Sequence, residues 1–141
     1  MSLNLHASCV ALGGKAVLIL GPSGAGKSDL ALRLIDEGAK LVADDRTELA
    51  LARGRWIASP PQTIAGLIEV RGIGIIALPF LNRAPVALAV RLTGRIPRLP
   101  EPDFFFPDGK KGVKVPQIAL NPFEASATAK VRLALRHCQQ K

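Results

Sequence analysis

Apolar positions in the first half of the chain fall into short runs whose period changes twice. Residues 3–12 and 15–20 are β-rich and meet at Gly13–Gly14, where both central turn residues can take positive φ, so a tight hairpin is predicted. After the glycine-rich stretch 21–28, Leu30, Ala31, Leu34 and Ile35 recur at helical spacing and Gly38 suits the position just past a helix end. This predicts a helix from about Gly26 to Glu37. Lys40–Ala43 is a short strand ending at Asp44–Asp45, which makes strand, loop, helix and strand a right-handed βαβ unit with parallel strands.

Farther along, Glu48–Arg53 and Arg55–Ala58 predict a hairpin turning at Gly54. Leu67–Val70 and Ile73–Leu78 are strand candidates separated by Arg71–Gly72, and Pro85–Leu92 is a near-continuous apolar strand of central character. Residues 93–114, rich in proline, glycine and basic side chains, predict a long loop or lid. Phe104–Phe106 inside it either dock the loop on the body or anchor a partner. Asn121–Pro122–Phe123–Glu124 has the N-cap, N1 and N3 chemistry of a helix start. Phe123, Ala127, Val131, Ala134 and Leu135 would be that helix's apolar stripe. The expected fold is α/β, a mixed sheet with flanking helices, organised as a single domain over residues 1–141.

Composition narrows the class. With 141 residues and 48% hydrophobic content the chain can bury a core without staples, and disorder over most of it is excluded. Cys9 and Cys138 build no disulfide framework, and no secretory or membrane-spanning segment is visible, so a cytoplasmic protein is expected. The net charge of +8 admits nucleic acid, an acidic partner or phosphate groups. Aromatics make up only 4% and alternate nowhere with basic residues, which argues against nucleic acid.

The phosphate reading has a motif behind it. Gly21, Pro22, Ser23, Gly24, Ala25, Gly26, Lys27 and Ser28 match G-x-x-x-x-G-K-[ST], following a strand and opening a helix. Glycines there let successive backbone N–H groups turn toward one anion. Lys27 would reach β/γ-phosphates and Ser28 would ligate Mg²⁺, while Ser23 either adds a hydrogen bond or is an ordinary turn serine. Asp44 and Asp45 end a strand on the same edge. Neighbouring strand residues face opposite ways, so both serve one site only if the chain bends between them. Hairpin register carries His6 opposite Gly21, beside the loop, to pair with a carboxylate or touch phosphate. Glu69 and Arg71 share a face if 67–71 is extended, and would add an acid and a guanidinium to a nucleotide site. His137 reads as structural.

Together LHASCVAL, GPSGAGKS, GAKLVADD and LIEVRGIGII, over roughly residues 3–78, resemble the catalytic domain of the HPr kinase/phosphorylase family. The resemblance implies a P-loop fold similar to the nucleotide domain of phosphoenolpyruvate carboxykinases. It implies ATP and Mg²⁺ as cofactors, an HPr-type phosphocarrier as protein substrate, and assembly as hexamers. By residue it implies phosphate binding by 21–28 and proton transfer at Asp44, with His6, Lys27 and Arg71 in the catalytic set. Ser28, Asp45 and Glu69 would lie on the metal side. Family members usually carry a further N-terminal domain, so by this resemblance a short form with the catalytic domain alone is expected. The family's later Pro-x-Arg-Pro-Gly-Arg-Asn segment is replaced by VPQIALNPFEAS, which leaves the kinase direction as the expectation and phosphorylase activity without its arginine. The acceptor would dock through 93–114 or the basic C-terminal helix. Two rival readings share these motifs: a small-molecule kinase, and a nucleotide-sensing module without transfer activity.

Overall fold

The computed structural model describes residues 2–109 and 112–138. The first predicted run is two strands, β1 (Ser2–Leu5) and β2 (Ala7–Leu12), broken by a bend at His6. From β2 the chain turns through Gly13–Gly14, at φ 59° and 79°, into β3 (Lys15–Leu20) with Leu12 opposite Lys15, the expected hairpin. Helix α1 (Lys27–Asp36) follows, then β4 (Lys40–Ala43). Strand β4 runs parallel to β3 as expected, but the two are not neighbours, because β2 lies between them and pairs antiparallel with both. The hairpin strand fills the place the βαβ expectation left to direct pairing, and the C-terminal ends of β3 and β4 still share one edge.

The second hairpin, β5 (Thr47–Ala52) and β6 (Arg55–Ser59), turns at Arg53–Gly54 with both φ positive. Instead of extending β2, β1 crosses to pair with β5, because the His6 bend turns it out of the first hairpin. Strand β9 (Ala84–Leu92) is the hinge of the sheet. Along one edge it lies parallel to β3; along the other it meets β6 through Ala84 and Pro85, then β11 (Val115–Leu120) through residues 89–92. Two sheet portions thus diverge from one strand, giving a curled mixed sheet of nine strands among the described residues. The region 93–114 is not all loop, since β10 (Asp103–Phe105) pairs antiparallel with β11, itself a strand the polar and proline-interrupted run VPQIAL does not announce. Lys110 and Lys111 lie outside the described residues.

Period-two alternation divides the core between the two sheet faces. Val17 and Ile19 face Leu30, Leu34, Val131 and Leu135 on the helical side, while Cys9, Leu18, Val42, Leu49 and Trp56 form a second cluster on the other. Phe105 packs against that second cluster and Lys114 sits 3.9 Å over the Phe104 ring, so this end of the segment is docked on the body. Burial pushes the Cys9 thiol far above its ordinary range. A maleimide applied to the folded protein at pH 8 should therefore leave the Cys9 peptide unmodified, with full labelling only in denaturant; peptide mass spectrometry reads both states.

Helix α2 (Ala127–Cys138) starts later than the 121–124 signature implies. Asn121 accepts the Phe123 N–H through Oδ1 at 3.0 Å, but 121–126 stay in turns. Ala127, Val131 and Leu135 form the buried stripe, whereas Phe123 is 77% exposed and belongs to no stripe. Across the helical layer, Glu37 at the end of α1 accepts hydrogen bonds from Arg132 and, at 3.1 Å, from the Thr128 hydroxyl. The Arg132 guanidinium holds the Glu37 carboxyl below its ordinary value; partial desolvation opposes this and Thr128 reinforces it. A lowered folded-state value gives stability that is complete above the unfolded value and is lost as pH falls through the folded one. Glu37→Gln should lower the melting temperature at neutral pH by about a few degrees at most, and the gap should close on acidification; thermal melts across pH 3–7 check this.

Candidate active site

Residues 21–28 leave the C-terminal end of β3 and close at the start of α1. Gly24 and Gly26 take φ 84° and 102°, the positive region that lets consecutive N–H groups face one side. Gly26 is the residue preceding the helix, and its carbonyl accepts the Leu30 N–H at 3.0 Å. Lys27 is only 7% exposed, and its ammonium donates back to Gly21 O at 2.7 Å and Pro22 O at 3.1 Å. Ala25 N–H closes the turn on Pro22 O at 3.1 Å. The loop is therefore already wound around the position an anion would take, with its cation held on its own carbonyls.

The chain does bend between the two aspartates. Asp45 has φ 67°, and Arg46 N–H bonds Asp44 O at 2.7 Å across it, a γ-turn. Backbone held in this region at a residue other than glycine costs on the order of 1 kcal/mol and must be held by its surroundings. The bend sends the two carboxylates to different partners. Asp44, 6% exposed, accepts Ser8 Oγ–H at 2.9 Å and Ser28 Oγ–H at 2.7 Å on Oδ1, and the Glu69 N–H at 3.1 Å on Oδ2. One side chain thereby ties β2, α1 and β7 (Leu67–Val70) together. Asp45 is exposed and accepts the His6 Nε2–H at 2.9 Å.

Strand β7 pairs antiparallel with β8 (Gly74–Ala77) in a separate two-stranded hairpin. Its second strand is shorter than the predicted Ile73–Leu78, and Arg71 sits in the connecting turn instead of extending the strand beyond Glu69. Both residues nevertheless reach the same place. An open cleft of about 600 Å³ is lined by Ser23, Gly24, Gly26, Lys27 and Ser28 on one wall and by Asp45, Glu69 and Arg71 on the other, with Asp44 buried behind. Asp45, Glu69 and Arg71 thus face the loop across the cleft, while His6 is not among the lining residues and is linked to it through Asp45. Asp29, Leu32, Val70 and Phe123 also line the cleft and Ser8 supports it from behind. Ser8 is the hydroxyl interrupting an otherwise apolar strand, which is the signal that could have found it.

The donor set suits a nucleotide and a hard cation brought in with it. Among the described residues no three His, Cys, Asp or Glu side chains cluster as a cation cage. Magnesium needs none, because it keeps waters and takes one or two protein oxygens beside substrate phosphates. Ser28 with Asp44, Asp45 or Glu69 can supply those oxygens. Among the described residues, no helix is long and apolar enough to cross a membrane.

Strand, glycine loop, helix and an acid at the end of the parallel strand define a P-loop α/β protein of the kinase type. The family model of the HPr serine kinase C-terminal domain matches residues 1–82. The chain belongs to that family. Similar curated proteins include the HPr kinase/phosphorylase of Clostridium tetani (strain Massachusetts / E88), 42% identical over 93 residues. Another is that of Clostridium botulinum (strain Eklund 17B / Type B), 46% identical over 73 residues. These matches cover 66% and 52% of this chain but only 30% and 24% of those proteins, so the matched part is under a third of their length. The solved structure of the HPr(Ser) kinase/phosphatase from Coxiella burnetii superposes with a TM-score of 0.81 at 28% identity, covering 98% of this chain and 97% of that one. The expected α/β P-loop architecture and family are borne out.

Proposed function

We propose that this protein is an ATP- and Mg²⁺-dependent kinase that phosphorylates a serine of an HPr-type phosphocarrier protein. The observation that carries the reading is Asp44, whose carboxylate joins the P-loop serine to the segment bearing Glu69 and Arg71. A module that only sensed nucleotide would need the loop but not an acid fixed between the loop and the opposite wall. The matched relatives and the solved structure, named for HPr kinase activity, support the protein acceptor over a small metabolite.

In this mechanism the backbone N–H groups of 23–28 grip the β- and γ-phosphates. Lys27 exchanges Gly21 O and Pro22 O for a phosphate oxygen, and Arg71 offsets charge on the transferring group from the facing wall. Asp44 takes the proton of the acceptor hydroxyl as its oxygen bonds to the γ-phosphorus and the bond to the ADP oxygen breaks; His6 orients Asp45. When bound, Mg²⁺ supplies charge neutralisation at the phosphates, on the side of Ser28, Asp45 and Glu69. Assembly as a hexamer in the cytoplasm completes the proposal, on the family resemblance.

Access favours a second division of roles: Asp45 faces the cleft while Asp44 is covered and holds Ser28, as a cation-side acid would. Purified protein with γ-labelled ATP, Mg²⁺ and an HPr-type carrier tests the function itself. Label on a carrier serine supports it; intact ATP binding without label overturns it. Comparing Asp44→Asn with Asp45→Asn under Mg²⁺ titration separates the roles, because loss on the cation side raises the Mg²⁺ requirement whereas loss of the base lowers the rate at any Mg²⁺ concentration.

A further inference from the structure

Phe123 has no role in the account so far, yet its position is unusual. It lies outside residues 1–82 matched by the family model, and its ring is 77% exposed while lining the phosphate-loop cleft. A Cβ built on Gly26 would stand 3.7 Å from Cζ and 3.8 Å from Cε1 of the ring, so Phe123 rests directly against the helical end of the loop. The turn that presents it is held at two points, one of them through a side chain that is itself braced. Asn121 Oδ1 accepts the Phe123 N–H at 3.0 Å, Arg33 of α1 donates to Pro122 O, and Arg33 is itself held by Asp29 at 3.1 Å. An exposed aromatic on a braced turn is preorganised to receive a flat partner.

Acids and aromatic ring flank the loop from different elements. Asp44 accepts from Ser28 at 2.7 Å and Asp45 from His6 at 2.9 Å, on the side where β2 begins and β4 ends, whereas Phe123 stands against Gly26 on the turn that Arg33 holds. With the γ-phosphoryl group directed at the acids, the nucleoside would leave the cleft on the side of Phe123. Resting on the nucleotide reading above, we propose that Phe123 is the stacking platform for the nucleotide base, a binding residue that makes the site select nucleotides over bare polyphosphate.

Isothermal titration of the full chain with ATP and with inorganic tripolyphosphate, both with Mg²⁺, tests this on wild type, Phe123→Ala and Phe123→Trp. Phe123→Ala should weaken ATP about tenfold or more, the usual cost of removing one base–aromatic stack, and leave tripolyphosphate unchanged. Phe123→Trp should keep ATP affinity, and its added emission should be quenched by ATP but not by tripolyphosphate. Equal loss for both ligands in the alanine variant would mean the ring merely shapes the loop and would overturn the proposal. Unchanged ATP affinity would overturn it too, and a raised KM for the protein acceptor would then assign the ring to acceptor docking. Wild type binding neither ligand would remove the phosphate-loop reading itself, and the base platform with it.

Discussion

Asp44→Asn should fold, retain nucleotide binding and transfer phosphoryl groups about a hundred- to ten-thousandfold more slowly, the range for losing a positioned general base. The side chain is nearly isosteric, and the hydrogen bonds around it show why folding survives. Asn keeps one acceptor oxygen, which the fixed Glu69 N–H must have, because a backbone donor cannot reverse. The amide NH₂ then faces Ser8 and Ser28, whose hydroxyls can rotate to accept. That reversal occupies a lone pair of Ser28 and removes the acid, so catalysis suffers while the scaffold does not. Initial rates with labelled ATP, beside nucleotide affinity and a melting curve, measure all three quantities. Transfer at the wild-type rate would take Asp44 out of the chemistry.

Lys27→Ala should lose both binding and transfer. Its ammonium is buried and donates to two carbonyls at the start of the loop. Removing it takes that donor from Gly21 O, leaves Pro22 O with the Ala25 N–H alone, and takes away the loop's own cation. Charge-assisted hydrogen bonds contribute roughly 1.5–3 kcal/mol each, so nucleotide affinity should drop by about one to two orders of magnitude. The rate at saturating nucleotide should drop by about a hundredfold or more, as for other preorganised groups facing developing charge. Lys27→Arg should not restore it, because a planar guanidinium cannot replace a compact ammonium in this tight turn. A variant that kept nucleotide affinity would show that the motif is only a structural turn.

The sequence made most of this wall of the site legible because phosphate binding depends on backbone conformation, and backbone conformation is written locally in glycines. The Gly13–Gly14 turn set the hairpin register, which ends with Ala7 opposite Leu20 and leaves His6 in the bend just beyond, bonded to Asp45. What local pattern could not carry was anything decided by long-range pairing. That β2 separates β3 from β4, and that β1 leaves for β5, are choices among several apolar edges of equal local appeal. Strand β11 carries Pro116 and Gln117 yet pairs with β9 and β10. The helix start at Asn121 failed for a related reason. Its side chain caps a turn as readily as a helix, and the Arg33 contact to Pro122 O settles the choice. Cleft lining by Phe123 then follows from a clamp on its neighbour Pro122 by Arg33, 89 residues earlier in sequence.

The two walls of the cleft differ in how they are built into the molecule. The loop wall springs from β3, which is hydrogen-bonded along both edges inside the large sheet. Glu69 and Arg71 hang on a hairpin of two four-residue strands, a unit that is marginal by itself and is joined to the rest through Asp44, Ile68 and its packing on α1. Opening of the hairpin breaks no ladder hydrogen bond of the large sheet, so the two walls are expected to open separately. A phosphate bound on the loop would then rest on a surface as durable as the core, and on the proposed function the guanidinium wall should open on a faster clock, letting product go without loosening that grip.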